Sequence, residues 1–359
     1  MSSHIKIHPD FQLNEHHFNN IKDLMLFVKD TLPKDKIFVE QLFNHQTYIT
    51  AHTSGSTGKP KEIKLKKEYL VNSAKKTINF FELPPKSSAL LNLSSDFIAG
   101  KMMWIRAIIG GWHLDIVLPE NKNISKQLKS HTYNFGAMVP LQAYQNSHLL
   151  HKIDKLIIGG GIVSEALQKK LDQHKNKIYA TYGMTETITH IAVKALNNAT
   201  KKELYKNQSF INTYQLLDNI TISQDQRNCL IIKAPDISNN SIITNDIVEI
   251  IDEKHFKWIG RYDNIINSGG LKFIPEQIEA KLAPIIDENF FIAGIPDEKL
   301  GEKIILIIET KQKKENINFE KYLTSYEIPQ EIYYLSKFIK TTSGKIKRNE
   351  ILQNLNKHN

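Results

Sequence analysis

The chain has a single cysteine, Cys229, which excludes an internal disulfide and makes a reducing cytoplasm the expected setting. No apolar run approaches the ~20 residues that a membrane-spanning helix needs. The first residues lack the apolar core of a secretory signal. Zinc-ligand spacings and the aromatic signature of RNA-binding domains are also missing. These absences predict a globular cytoplasmic protein with no membrane span.

Positive charge is the one compositional excess: the formal net charge is +9, while 41% hydrophobic and 24% charged residues are ordinary values. Such a charge would suit a nucleic-acid binder, but the lysines are spread along the chain rather than gathered in one stripe. Positive charge also attracts polyanionic small molecules such as ATP and coenzyme A. We therefore expect anionic small ligands and no nucleic-acid partner.

Short apolar runs alternate with amphipathic stretches along most of the chain. Residues 89–93 and 155–158 have the pattern of buried strands, and residues 66–81 and 165–174 that of helices. This alternation favours an α/β protein with several layers. A strand pattern ends near residue 262, and the remainder is long enough for a small α+β domain. We predict a large N-terminal domain over 1–262 and a small C-terminal lid domain over 263–359.

One segment, residues 53–61, is unusually rich in hydroxyl groups, glycine and lysine. Glycine lets the backbone approach an anion and adopt positive φ, while hydroxyl and ammonium groups supply donors and charge. The segment is not a Walker loop, because Pro60 follows Lys59 where serine or threonine should stand. The predicted phosphate-binding residues are Thr53, Ser54, Gly55, Ser56, Thr57, Gly58, Lys59 and Lys61.

A second motif, Tyr182-Gly183-Met184-Thr185-Glu186, follows a predicted strand. The Tyr182 ring can stack on adenine, and the Thr185 hydroxyl can hydrogen-bond a phosphate oxygen. Glu186 is a hard oxygen ligand suited to Mg²⁺ that bridges phosphates. A helix start with a capping pair would also use these residue types.

Gly159, Gly160 and Gly161 end another predicted strand. They leave the backbone open for a flat ring, and a strand-to-helix turn would need the same glycines. Both interpretations can hold together.

These segments resemble, in order, the motifs of the adenylate-forming superfamily, which includes acyl- and aryl-CoA ligases, the adenylation domains of peptide synthetases, and luciferase. The superfamily's phosphate loop reads Thr-Ser-Gly-Ser-Thr-Gly-x-Pro-Lys-Gly, from which only Glu62 departs. The resemblance covers residues 50–348 and implies a large α/β domain with a small mobile lid. It implies that Thr185 and Glu186 are catalytic, that Glu186 holds the metal, and that residues 159–161 lie beside adenine.

The same resemblance extends to residues 244–263. In Thr244-Asn245-Asp246 the superfamily has glycine in place of Asn245. The resemblance implies that Asp246 accepts both ribose hydroxyls, that Arg261 contacts the ribose or a phosphate, and that Asp263 is the hinge of the lid.

Two further matches follow in the lid. Gly269 and Gly270 correspond to the superfamily's Gly-Gly loop and would line the tunnel for the pantetheine arm of CoA. Lys345 corresponds to the lysine that contacts the substrate carboxylate and the α-phosphate, although the proline that often opens this motif is absent. The implied activity uses ATP, Mg²⁺ and CoA to convert a small carboxylic acid first into an acyl-adenylate and then into a thioester.

Within the superfamily the chain is most similar to the o-succinylbenzoate–CoA ligases of menaquinone synthesis. The phosphate loop starts early, at Thr53, and residues 96–106 carry the likeness. The acid of those enzymes has two carboxylates, so the one that is not activated needs a cation inside an apolar pocket. Arg106 and Lys101 are the candidates, with Phe97 as a wall. An ordinary core helix is the other interpretation of this stretch.

Several alternatives stay open from the sequence. The protein could be a different aryl- or fatty-acyl-CoA ligase, or an adenylating enzyme that loads a carrier protein. A non-catalytic nucleotide-binding or basic interaction protein is disfavoured by the joint presence of Glu186, Asp246, Arg261 and Lys345. A homo-oligomer is compatible with the sequence.

Overall fold

The computed structural model describes residues 5–52, 62–205, 210–312, 317–341 and 345–356. The chain packs into two compact units. The first comprises the residues up to 163 together with 167–221 and 233–242, and the second comprises 164–166, 222–232 and the residues from 243 onward. The predicted boundary after residue 262 is the point about which the lid would move. The packing of the two units does not test such a motion, so this boundary stays a prediction.

A mixed sheet is the centre of the first unit. Its strands are β1 (Gln12–Leu13), β2 (His16–His17), β5 (Ser88–Leu91), β6 (His113–Ile116), β7 (Tyr133–Met138), β8 (Ile153–Ile158), β9 (Lys177–Gly183), β10 (His190–Ala195) and β11 (Tyr214–Leu216), and β3 (Tyr48–His52) and β4 (Glu62–Lys66) form a separate hairpin. The order in the sheet is β11-β10-β9-β8-β7-β5-β6-β1-β2. Neighbours from β9 to β1 are parallel, and β10 runs antiparallel to β9. The carboxyl ends of the parallel strands therefore share one edge, where such sheets bind ligands.

Helices accompany this sheet: α1 (Ile21–Thr31), α2 (Lys36–Phe43), α3 (Lys67–Phe80), α4 (Ile98–Gly110), α5 (Asn121–Ser130), α6 (Pro140–Gln145), α7 (Glu165–Leu171) and α8 (Asn198–Leu204). The helices α3 and α7 and the strands β5 and β8 confirm the predicted segments, although α7 ends three residues before the predicted end at 174. Helix α4 is apolar on nearly all sides and is accordingly buried along most of its length.

The second unit contains two sheets. Its elements are β12 (Thr221–Gln224), β13 (Cys229–Lys233), β14 (Ile242–Ile250), β15 (His255–Arg261), β16 (Ile266–Ser268), β17 (Leu271–Phe273), α9 (Pro275–Leu282), β18 (Phe290–Asp297), β19 (Gly301–Glu309), β20 (Glu331–Leu335) and α10 (Arg348–Asn356). Strands β12 to β15 lie side by side in chain order, and the other sheet has the order β17-β16-β19-β18 with β20 beside β19.

Strand β19 shows why the smaller sheet has a helix on each face. Successive strand side chains point to opposite faces. Ile304, Leu306 and Ile308 pack in a cluster with Ile278 and Leu282 of α9. Ile305 and Ile307 face the other way and pack in a cluster with Ile351 of α10. The predicted mixed α/β fold class is confirmed.

Candidate active site

The predicted phosphate loop, Thr53, Ser54, Gly55, Ser56, Thr57, Gly58, Lys59 and Lys61, lies outside the described residues. Its two flanks are described: β3 and β4 pair in antiparallel register from Tyr48 with Lys66 to His52 with Glu62. The residues that flank the segment, His52 and Glu62, are therefore cross-strand neighbours.

The three glycines follow β8 at the carboxyl edge of the sheet. The backbone N–H of Gly159 donates to the carbonyl of Met138 at 3.1 Å. A Cβ at residue 159 would lie 2.4 Å from Oγ1 of Thr181, and Gly160 has a φ of 80°. The first glycine therefore allows close packing and the second a left-handed turn. These needs agree with the turn interpretation and leave the adenine role a prediction.

The motif at residues 182–186 lies at the same edge, because β9 is the parallel neighbour of β8. The ring of Tyr182 lies 5.7 Å from that of Tyr214. A Cβ at Gly183 would lie 2.2 Å from the carbonyl oxygen of Thr189, so only glycine fits there. Glu186 is solvent-exposed within a short 3₁₀ turn, residues 185–187. The structure thus brings the triple glycine and the tyrosine motif together.

A strained turn follows directly and was not predicted. Ile188 has φ 66° and ψ −59°, a conformation that is rare for a β-branched residue. The N–H of Thr189 donates to the carbonyl of Thr187 at 2.7 Å, which closes a γ-turn. The Met184 N–H donates to Oγ1 of Thr187 at 2.9 Å. No sequence signal marks this turn, since isoleucine is not a turn residue.

Arg106 lies inside the first unit with only 2% of its surface exposed. Its Nη2 donates to Oγ1 of Thr189 at 3.1 Å, and Nη1 lies 3.7 Å from Sδ of Met103. Its Nε has no hydrogen-bond partner in the part of the chain that the structure describes. Burial lowers the pKa of Arg106 to about 9, which leaves the guanidinium charged at neutral pH. Among the described residues, no carboxylate forms an ion pair with it.

Lys101, the other predicted cation, is held differently. Its Nζ lies 4.7 Å from the ring centroid of Phe38. Burial lowers the pKa of Lys101, and the carboxylates of Asp96 and Asp35 oppose that shift. The two carboxylates therefore offset part of the cost of burying this charge. Phe97 is half-buried where α4 begins, which is compatible with a wall of the acid pocket but does not test it.

In the second unit the two predicted ribose ligands are cross-strand partners. Asp246 on β14 is opposite Arg261 on β15, and Oδ1 of Asp246 accepts from Nη1 of Arg261 at 3.3 Å and from Nε1 of Trp258 at 3.2 Å. Nη2 of Arg261 also donates to Oδ2 of Asp263 at 2.6 Å. Although burial opposes it, the two carboxylates raise the pKa of Arg261.

Lys345 belongs to the same cluster of charges. Burial and the positive charge of Arg261 lower the pKa of Lys345, while Asp246 opposes the shift. Its backbone N–H donates to Oγ1 of Thr341 at 3.0 Å. Lys345 therefore lies within electrostatic range of Asp246 and Arg261, although it is more than eighty residues later in the chain.

Gly269 and Gly270 form the two-residue turn between β16 and β17. Their φ values are 59° and 81°, as a hairpin turn of this type requires. A Cβ at Gly270 would meet no atom within 4 Å. Backbone conformation therefore explains the glycines here, and the pantetheine tunnel stays a prediction.

Membrane-spanning helices and clusters of metal ligands are both absent from the described residues. Within those ranges, no helix is both long and apolar enough to cross a bilayer. Nor do three His, Cys, Asp or Glu side chains gather there as a metal site.

The chain is similar in sequence and in structure to known AMP-forming enzymes. Residues 19–212 match the family described as AMP-binding enzyme. A 2-succinylbenzoate–CoA ligase of Staphylococcus epidermidis is 25% identical over 369 residues, which cover 94% of this chain and 74% of that protein. The crystal structure of an acyl-CoA synthetase (AMP-forming)/AMP-acid ligase II-like protein from Dyadobacter fermentans is 33% identical, with a TM-score of 0.58 over 90% of this chain and 95% of that one.

One further solved structure has a closer likeness in fold. It is the o-succinylbenzoate coenzyme A synthetase of Bacillus subtilis in complex with ATP and magnesium, with a TM-score of 0.72 and 16% identity. The likeness covers 93% of this chain and 82% of that structure.

Proposed function

Since this chain belongs to the AMP-binding enzyme family, we propose that it is an acid–CoA ligase with o-succinylbenzoate as its acid. The S. epidermidis relative carries that activity in its name. The observation that carries the substrate proposal is Arg106, a buried cation without a carboxylate partner among the described residues.

The first half-reaction joins the acid to AMP. An oxygen of the substrate carboxylate attacks the α-phosphorus of ATP, a P–O bond forms, and pyrophosphate leaves with the electrons of the broken bond. Negative charge must be drawn away from the transferring group. The Lys345 ammonium would do so at the α-phosphate, and the hydroxyl, glycine and lysine residues of 53–61 at the other phosphates. Asp246 would accept the ribose hydroxyls, with Arg261 beside it.

Glu186 is the residue that would hold Mg²⁺. It is exposed, and the described residues offer it no cluster of further acidic or histidine ligands. A metal whose other ligands are phosphate oxygens and water fits such a single carboxylate. When bound, the ion neutralises charge on the phosphates.

The second half-reaction transfers the acyl group to CoA. The thiol sulfur attacks the acyl carbon, a thioester forms, and AMP leaves. We propose that the lid, residues 263–359, turns about Asp263 between the two half-reactions, so that Lys345 leaves and Gly269 and Gly270 line the path of the thiol.

The choice of acid follows from charge. A cation in an apolar interior is costly unless an anion pairs with it. The activated carboxylate of the acid must approach ATP, so Arg106 is available for a second carboxylate on the same molecule. An acid with two carboxylates and an aromatic body supplies both groups. An acid with a single carboxylate would leave Arg106 without an anionic partner.

The test is ATP–pyrophosphate exchange across a panel of acids, followed by addition of the acyl acceptor. The panel contains o-succinylbenzoate, its two analogues that each lack one carboxylate, benzoate and a medium-chain fatty acid. We expect exchange to be fastest with o-succinylbenzoate and a thioester to appear when CoA is added. If only fatty acids supported exchange, the substrate proposal would be overturned. If none of the acids supported exchange, the proposed ligase activity would be overturned. If a thioester formed on a phosphopantetheinylated carrier protein but not on CoA, the carrier protein and not CoA would be the acyl acceptor.

We further propose that the enzyme works in the cytoplasm on these small molecules, with no nucleic-acid partner. The single cysteine, which is buried, supports a reducing setting.

A further inference from the structure

Arg106 is the first member of a buried hydrogen-bond chain that crosses three elements of the first unit. Its partner, Oγ1 of Thr189, lies 3.4 Å from Nδ1 of His190. Nε2 of His190 lies 3.4 Å from Oγ1 of Thr77. Thr77 donates in turn to the carbonyl of Ser73 at 3.3 Å. The chain therefore runs from α4, through the start of β10, to α3.

The single proton on each threonine hydroxyl is consistent with one direction of donation along these hydrogen bonds. A threonine hydroxyl has a single proton. Thr189 accepts from Arg106, so its proton can go to Nδ1 of His190. Thr77 gives its proton to Ser73, so it accepts from Nε2. These contacts are satisfied by the neutral tautomer of His190 that carries its proton on Nε2.

Other groups around His190 agree with the neutral state. The side chain is 6% exposed, and the ring of Phe81 lies against it at 6.3 Å. Burial and the charge of Arg106 lower the pKa of His190 well below its ordinary value. A neutral partner orients Arg106 without cancelling its charge, whereas an aspartate at residue 189 or 190 would pair with the guanidinium and remove its attraction for a substrate anion.

The position of Thr189 is itself fixed by the γ-turn at Ile188. The Ile188 side chain is 1% exposed and anchors the turn in the core. Backbone strain of this kind costs on the order of 1–3 kcal/mol and persists only where the surroundings hold it. The turn therefore sets where the Thr189 hydroxyl meets Arg106, and it does so three residues after Glu186.

We propose that Thr189 and His190 are positioning residues that hold Arg106, still charged, for the second carboxylate of a dicarboxylic acid substrate. The proposal rests on the proposed function, because it assumes that Arg106 binds that carboxylate. It assigns the two residues to the choice of acid and not to the transfer of the acyl group. Loss of this hydrogen-bond chain should therefore weaken binding of the dicarboxylate and leave binding of a monocarboxylate unaffected.

The experiment measures kcat/KM for AMP formation with o-succinylbenzoate and with its analogue that keeps only the carboxylate that becomes adenylated. Thr189→Val removes the hydroxyl and keeps the shape. We expect the ratio of the two kcat/KM values to fall about tenfold, as for one lost hydrogen bond to a charged group. The fall should come from a higher KM for the dicarboxylate. Thr189→Ser should restore the ratio.

A matched control is Thr213→Val, which removes another fully buried hydroxyl that donates to the Phe210 carbonyl at 2.6 Å, away from Arg106. It should leave the ratio unchanged.

A second pair of variants tests the positioning role if Thr189→Val does not fold. His190→Asn keeps an acceptor for Thr189 and should keep most of the ratio, whereas His190→Leu removes the acceptor and should lower it.

The outcomes separate this proposal from the proposed function. Equal losses on both acids, or an unchanged ratio in Thr189→Val while Arg106→Met lowers it, would overturn the positioning role and leave the function standing. An unchanged ratio in Arg106→Met would remove Arg106 from the acid site and overturn both the substrate assignment and this proposal. Absence of AMP formation with either acid would overturn the ligase itself.

Discussion

Nδ2 of Asn245 donates to Oδ1 of Asp263, the proposed hinge residue, at 2.9 Å. Asn245 also accepts from Nη1 of Arg227 at 3.0 Å, and that guanidinium lies 5.1 Å from the ring centroid of Tyr262. The superfamily that this sequence resembles has glycine at residue 245, which cannot make either contact. This chain therefore has an additional tie between β14 and the turn at residues 262–264.

That tie leads to a prediction for Asn245→Gly. The arrangement described here has Lys345 near Asp246, as adenylation would need, and one hydrogen bond stabilises it by about 1 kcal/mol. We expect single-turnover adenylation to slow by up to about fivefold, and thioester formation from supplied acyl-adenylate not to slow. Asn240→Gly, on a turn away from these contacts, serves as the control. Slower thioester formation in Asn245→Gly would contradict this account of the tie.

Lys345→Ala should separate the two half-reactions more strongly. Loss of one preorganised charge costs about 10²–10³-fold in rate, so pyrophosphate exchange should fall by that amount. Transfer from supplied adenylate to CoA should be largely spared. Lys347→Ala is the matched control, because Lys347 pairs with Glu350 at 3.0 Å and has no proposed role in the reaction. If both half-reactions fell together, Lys345 would not have the assigned role.

Arg106→Met should stabilise the fold while it impairs the enzyme. Burial lowers the pKa of Arg106 to about 9, which means that the folded state holds this proton less tightly than the unfolded chain. Replacing such a buried charge with an apolar side chain should raise the free energy of unfolding by about 1 kcal/mol or more. Urea denaturation measures the change, and an unfolding midpoint at or below that of the wild type would contradict it.

A ligand control belongs with that variant. Saturating o-succinylbenzoate should raise the melting temperature of the wild type, because it binds only the folded state. The rise should be smaller in Arg106→Met.

His190 should make the protein sensitive to mild acid. The pKa of His190 in the folded state is below the ordinary value of 6.5. As the pH falls below 6.5, the unfolded chain therefore binds a proton at this residue that the folded chain does not bind. The contribution of neutral His190 to the free energy of unfolding is therefore fully present above pH 6.5. It is lost as pH falls below 6.5, by on the order of 1 kcal/mol at pH 5.5. The loss between pH 7.5 and 5.5 should be smaller by that amount in His190→Asn and unchanged in His151→Asn, whose side chain is exposed. Equal losses in all three proteins would show that His190 titrates normally.

Much of the fold was predictable from local pattern. The runs at 89–93 and 155–158 became β5 and β8 because buried parallel strands are apolar throughout. Strands such as β1 and β2, with two residues each, have no such pattern, since distant partners define them.

The candidate site divides in a similar way. Gly159, Tyr182, Asp246, Arg261 and Lys345 were predictable because each belongs to a motif, and the structure places the first two at one sheet edge and the last three in one charge cluster. Thr189 and His190 were not predictable, because their importance depends on Arg106, which is more than eighty residues earlier in the chain. Only the three-dimensional contact reveals it.

The γ-turn at Ile188 has a consequence for the size of the acid. It lies between Glu186, the proposed metal ligand, and Thr189, which accepts a hydrogen bond from Arg106. The turn fixes the backbone between Thr187 and Thr189. Under the proposed function, it would therefore help to set the spacing between the two carboxylates of the acid. We therefore expect the enzyme to reject homologues of its acid that are one methylene longer or shorter, even though their charge is the same.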